Sequence, residues 1–333
     1  MSRIFILLAS LCVAGCVGSS SNEVIVYVAL DREFSEPILQ RFERETGIRV
    51  RAKYDVESNK TVGLANELME SAGRGKADVF WNNEILHTLR LEQKDRLAEY
   101  RSPRAVEYPE QFRSPNHKWY GFAARARVLI VNTNLLPEPE QRPRSLAELA
   151  DPRWQGKCGM AKPLFGTTAT QAAVAFAERS EEAADFFQKV AANCQIEGGN
   201  KQVAKNVAAG RYAWGVTDTD DAIIEIENGQ PVAIVFPDQS SESPGTLLIP
   251  NTLAILNDAP NPEAARRLVD FLLSAEVEKL LCQGPSAQLP LNTANEATLS
   301  RVAIPELKVR GVNFDAAAAG WQTASQKLLE IFQ

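Results

Sequence analysis

The chain has 333 residues, 45% hydrophobic and 23% charged, with 36 basic against 42 acidic side chains, a net charge of −6 and five cysteines. These proportions exclude a largely disordered or fibrous chain, and the length suits two ordinary domains better than one small one. The acidic balance argues against nucleic-acid binding, and two histidines, His87 and His117, without metal-ligand spacing argue against a zinc site or a His-centred triad.

Met1-Ser2-Arg3 carries one positive charge, and Ile4 to Val13 is an almost unbroken apolar run of ten residues. Such a run is too short for a hydrocarbon core of roughly 30 Å but suits the middle of a secretory signal. It ends in Val13-Ala14-Gly15-Cys16, which resembles the lipobox of bacterial lipoproteins. Residues 1–15 are then a signal peptide, Cys16 the lipidated N-terminus and 16–22 a flexible tether; an ordinary signal with Cys16 incidental is the alternative. No later run approaches a membrane span. After export Cys158, Cys194 and Cys282 remain, and Cys158 with Cys194 is the natural pair because both fall in one candidate domain. That bond would restrain the unfolded chain by roughly 4 kcal/mol; three buried free thiols is the competing reading.

From Glu23 onward short β-branched runs alternate with amphipathic stretches, the pattern of an α/β protein. The spacing predicts strands at 23–29, 48–54 and 77–81, with helices at 35–46 and 61–72 between them, stopped by Gly47 and Gly73. A further strand follows at 125–132, and then a proline-rich connector over 137–144. The next 115 or so residues repeat the α/β alternation. Strands are predicted at 157–162, 195–197 and 212–216, and helices at 168–178, 181–192 and 201–209. A long strand begins at Thr246, and helices follow at 262–273, 275–282 and 318–332. The economical arrangement is one lobe from 23–127 and 250–333, with a second lobe, 128–249, inserted through two extended crossings.

In open α/β sheets ligands sit beyond the carboxyl ends of strands, where helix N-termini also point. Four loops have that placement: Asp31 after the first strand, Asn83-Glu84 after Trp81, Gly166-Thr167-Thr168, and Asp218-Thr219-Asp220-Asp221. The glycine–threonine loop offers backbone N–H groups, two hydroxyls and a positive dipole end, which suits an oxyanion; a plain helix cap would use the same residues. One aspartate caps a helix, whereas three crowded ones repel and call for an ammonium group or a hard metal ion. Arg125 and Arg127 alternate on one strand face, so one or both could hold an anion in the cleft or simply line a solvated face. Trp81, Trp119 and Trp214 are pocket walls or core.

Several stretches together resemble the extracellular solute-binding proteins of ABC importers, in the ferric-iron-binding branch. They are Tyr27 to Phe34, Ala77 to Glu84, Gly121 to Thr133, Asp151 to Lys157, Lys162 to Thr170 and Phe236 to Gln239. The resemblance implies an α/β, two-lobed type II periplasmic-binding fold. Each lobe would be a mixed doubly wound sheet with flanking helices, and the ligand cleft would lie between them. It also implies delivery of the ligand to a membrane permease, and with the leader ending at Cys16 the expectation is a lipid-anchored, exported monomer on the periplasmic or cell-surface side. No resident cofactor is implied, and ferric ion enters only as cargo.

Ferric binders of this fold use a first-loop histidine, a second-loop glutamate and a late tyrosine pair, with a synergistic phosphate or carbonate. Here Asp31 replaces the histidine and Asp220-Asp221 stand where the tyrosines are expected. Two ligand classes follow. A zwitterion such as an aminoalkylphosphonate would place its anionic end at Gly166–Thr168 and its cationic end at Asp218, Asp220 and Asp221. Ferric ion would instead be held by Asp31, Glu84, Asp220 and Asp221. A hydrolase using Asp31 and Glu84 is the competing class, disfavoured because no nucleophile or base–orienter pair is visible.

Overall fold

The computed structural model describes residues 22–55, 62–71, 74–295 and 307–333. The leader, Cys16, the tether up to Ser21, Thr61 and Gly73 lie outside these residues. No helix among the described residues is long and apolar enough to cross a membrane.

The first strand, β1 (Glu23–Val28), runs into α1 (Arg32–Thr46). In α1 Ile38, Leu39 and Phe42 face inward one turn apart, and Gly47 ends the helix in the left-handed region at φ 70°. Strand β2 (Arg49–Tyr54), helix α2 (Val62–Glu70) and strand β3 (Val79–Asn82) follow, and β1 lies parallel to both β2 and β3. Then come α3 (Leu86–Gln93) and the long β4 (Tyr120–Asn132), buried along its whole length.

The second half holds β5 (Cys158–Ala161), α4 (Gly166–Glu178), α5 (Ser180–Asn193) and β6 (Gln195–Glu197). It continues through α6 (Asn200–Ala208), β7 (Trp214–Asp218), α7 (Thr219–Glu227) and β8 (Val232–Val235). The chain returns on β9 (Leu248–Ile255) and closes with α8 (Pro262–Leu272), α9 (Ala275–Gln283) and α10 (Phe314–Ile331). Helix α3 and strand β8 are additions to the sequence-based expectation, and the helices at 166–178 and 314–331 start earlier than predicted.

Strand order is β2-β1-β3-β9-β4-β7-β5-β6, with β8 also on β4. Residues 120–126 of β4 pair antiparallel with β9, whereas Arg127–Val131 pair antiparallel with β7. One strand therefore serves both halves, and the handover falls between Ala126 and Arg127. Just upstream a bulge between Phe122 and Ala124 puts Ala123 at φ 42°, a conformation that costs an L-residue energy. The buried Glu278 carboxylate from α9 holds that bulge by accepting from Ala123 N at 2.8 Å, and also accepts from Leu291 N and Asn292 N.

Helix α10 carries an Ala317–Trp321–Ala324–Leu328 stripe. Chain order alone groups it with the first lobe, yet it lies against α4 and α5 as well as α3. Its stripe joins Leu86 and Leu89 of α3 and Ala173 and Phe176 of α4 in one apolar cluster. Cys158, at the start of β5, and Cys194, after α5, form a disulfide with Cα atoms 4.9 Å apart, while Cys282 is a buried free thiol.

Candidate functional site

Beyond the carboxyl ends of β1, β3, β5, β6 and β7 lies a cleft of about 90 Å³ with a predominantly polar wall. The right-handed logic of strand–loop–helix units brings these loop ends together, although they are scattered over almost 200 residues of sequence. Asp31, Asn83, Arg125, Gly166, Thr167 and Thr168 all reach it, as do Asp218, Asp220 and Asp221.

The acidic loop forms because β7 ends at Asp218 and α7 begins at Thr219, which puts Asp220 and Asp221 in the first turn, where carboxylates offset the helix dipole. Carboxylate oxygens of Asp218, Asp220 and Asp221 lie within 4.8 Å of one another. Such crowding survives because two buried arginines enter it. Arg125 Nε donates to Asp220 Oδ2 at 2.6 Å, and Arg127 Nη1 to Asp218 Oδ1 at 2.7 Å. Burial disfavours the Arg125 charge, but Asp220, Asp218 and Asp31 outweigh it and its pKa rises. Burial likewise pushes the Asp220 carboxyl above its ordinary value, against the pull of Arg125. The expectation that these arginines hold a ligand's anion thus meets two side chains already paired with the chain's own carboxylates.

Arg125 also ties the halves together, since Nη1 donates to Asn83 O at 2.9 Å and to Asn251 Oδ1 at 3.3 Å. Arg127, fully buried, reaches Gln171 Oε1 at 2.8 Å, Thr167 Oγ1 at 3.2 Å and Thr168 Oγ1 at 3.3 Å. At the start of α4, Gly166 adopts φ 55°, which turns the chain from the loop into the helix. Thr167 Oγ1 donates to Asp218 Oδ2 at 2.5 Å, and Thr168 Oγ1 donates to Asn200 Oδ1 at 2.9 Å.

Glu84 goes elsewhere. It is fully buried at the start of α3, accepting from Leu86 N, from His87 N at 3.1 Å and from Asn82 Nδ2 at 2.9 Å. Thr170 Oγ1 of α4 donates to Oε2 at 2.7 Å, the oxygen that Leu86 N also reaches, so Glu84 joins the two halves beneath the cleft. Burial pushes its carboxyl up, and these four donors oppose the shift. Its neighbour Asn83 faces the ligand space instead. The tryptophans are core: Trp81 and Trp214 are fully buried, and Trp214 meets Trp154 edge-on at 5.7 Å.

The cleft also contains residues that loop-by-loop reading passed over: Lys162, Phe165 and the Gly198-Gly199-Asn200-Lys201 turn between β6 and α6. A glycine pair between a strand and a helix is the same signal that marks the Gly166 loop, and it was readable. Asn200 Nδ2 donates to Thr167 Oγ1 at 2.8 Å and to Asp218 Oδ2 at 3.0 Å, so it is built into the acidic corner.

Residues 77–308 match the family described as bacterial extracellular solute-binding protein. Iron uptake protein A1 of Synechocystis is 26% identical over 278 residues, covering 79% of this chain and 74% of the relative. The major ferric iron-binding protein of Neisseria meningitidis serogroup B is 26% identical over 322 residues, covering 92% of each. Among solved structures, the ferric binding protein from Campylobacter jejuni superposes with a TM-score of 0.82 at 22% identity, covering 92% of this chain and 99% of the other. AfuA from Actinobacillus pleuropneumoniae, solved with fructose-6-phosphate bound, gives 0.79 at 21% identity, covering 93% and 98%. These likenesses carry the type II periplasmic-binding fold, and the chain belongs to the bacterial extracellular solute-binding protein family, whose members capture solutes for ABC importers.

Proposed function

We propose that the cargo of this binding protein is ferric iron, taken up between the two halves and handed to an ABC permease. The observation that carries the reading is the trio Asp218, Asp220 and Asp221, whose oxygens lie within 4.8 Å of one another in a cleft also lined by Asp31. Hard oxygen ligands suit a hard, highly charged cation. Relatives named for ferric iron binding, at 26% identity over nearly the whole chain, support the same choice. Within the trio each carboxylate oxygen has two lone pairs, so a bond from arginine leaves room for a metal on the same oxygen. Glu84, turned inward onto Thr170, stays outside the ligand set in this reading, and Asp31, Asp220 and Asp221 carry it.

A second reading rests on the balance of charge. The same cleft holds Arg125, Lys162 and Lys201 beside its aspartates, which favours a ligand bearing both signs, such as an aminoalkylphosphonate. Denaturing protein purified from its natural host and measuring the released metals and organic phosphorus separates the two. Stoichiometric iron supports the first; iron-free protein stabilised by an aminophosphonate replaces it with the second. We further propose that Cys16 bears the lipid anchor, which intact-mass measurement of membrane-extracted protein reads as diacylglycerol on residue 16.

A further inference from the structure

We infer that Asp218 supplies the anion of this cleft from within the chain, so that the cargo cation is bound without a free oxyanion; this rests on the cation reading above. Asp218 is 4% exposed, and both its oxygens sit among the donors that an incoming oxyanion would need. Oδ2 accepts from Thr167 Oγ1 at 2.5 Å and from Asn200 Nδ2 at 3.0 Å, and Oδ1 accepts from Arg127 Nη1 at 2.7 Å. The second hydroxyl of the loop, on Thr168, is spent on Asn200 Oδ1.

What remains for a free anion is the backbone at the starts of α4 and α6 and the two cleft lysines, Lys162 and Lys201. Lys201 is exposed and lies 3.7 Å from Glu33, so solvent and a carboxylate both screen it. With both its hydroxyls and the Asn200 amide engaged by Asp218 or by each other, the glycine–threonine loop is an anion site already filled by a side chain. Asp218 thereby stands in for a partner anion and removes the requirement for one.

The test is a competition titration of metal-stripped, full-length protein with ferric iron against a chelator whose own affinity is measured in the same buffers. One buffer lacks phosphate and carbonate, and the other contains inorganic phosphate. Phosphate should change the wild-type iron affinity by less than about threefold, while Asp218→Asn should become phosphate-dependent by about tenfold or more. A wild-type gain of about tenfold with phosphate, or an Asp218→Asn protein indifferent to it, overturns the inference. Should Asp218→Asn fail to fold, titration of metal-free wild type with inorganic phosphate decides the matter: no binding supports the inference and stoichiometric binding overturns it. Wild type that holds no ferric iron in either buffer overturns the cargo reading itself.

Discussion

Replacing Arg125 by methionine should move stability and cation affinity in opposite directions. The side chain is 5% exposed and bonds Asp220, Asn83 O and Asn251 Oδ1. Methionine preserves length and apolar bulk but strands a buried carboxylate, a change that typically costs about 3–5 kcal/mol of folding free energy. The same loss frees Asp220 for cargo. A hydrogen bond to a charged group contributes about 1.5–3 kcal/mol, so releasing Asp220 should tighten cation binding by about ten- to a hundredfold. Urea unfolding gives the first quantity, and a ferric competition titration on folded protein gives the second. If the ligand instead placed an anionic group on Arg125, affinity would fall together with stability. A folded Arg125→Met protein that binds ferric iron more weakly than wild type would refute the cation reading of Asp220.

Three further outcomes follow from the structure. His87 is buried, with Arg90 Nη1 2.8 Å from its Nδ1, and burial first and Arg90 second lower its pKa from 6.5 to about 3. The unfolded chain therefore binds a proton below about pH 6.5 that the folded chain refuses until about pH 3, so stability falls with acidification across that window by about 1.4 kcal/mol per pH unit. His87→Gln should flatten that part of a pH series of urea midpoints, and an unchanged slope would show that other groups set it. Reducing the Cys158–Cys194 bond, which closes a sequence separation of 36, should cost roughly 4 kcal/mol and lower Tm without altering the cleft. Glu278→Ala should strand three buried backbone donors, Ala123 N at the bulge and Leu291 N and Asn292 N beyond α9, at about 1–3 kcal/mol each, read as a lower urea midpoint; an unchanged midpoint would show that the bulge holds without the carboxylate.

The alternation of β1, α1 and β2 was legible because period-2 and period-3.6 patterns are local, as was the stop at Gly47. So were the loops that meet in the cleft, since a polar turn between a strand and a helix marks the carboxyl edge of a sheet wherever it falls. Helix α3 escaped because Asn82-Asn83-Glu84 read as a ligand loop alone, although Leu86 and Leu89 already share one face of the helix that Glu84 caps. Strand β8 is four residues long and only partly buried, too short for alternation to declare itself.

The partners of the charged groups are a different kind of information. Period-2 alternation puts Arg125 and Arg127 on one side of β4, but it says nothing of Asp220 and Asp218, more than ninety residues later, which neutralise them. Read singly, two arginines promise an anion and three aspartates promise a cation. Once paired, Arg127 and Asp218 cancel, and Arg125 becomes a group that a cation bound at Asp220 would have to displace or share. The adjacent residues Asn83 and Glu84 teach the same point, one facing the cleft and the other locked to Thr170 of α4. Which carboxylates face a ligand is therefore decided by tertiary placement rather than by the acidic run itself: Asp31, Asp220 and Asp221 line the cleft, whereas Glu84 is turned away from it onto Thr170.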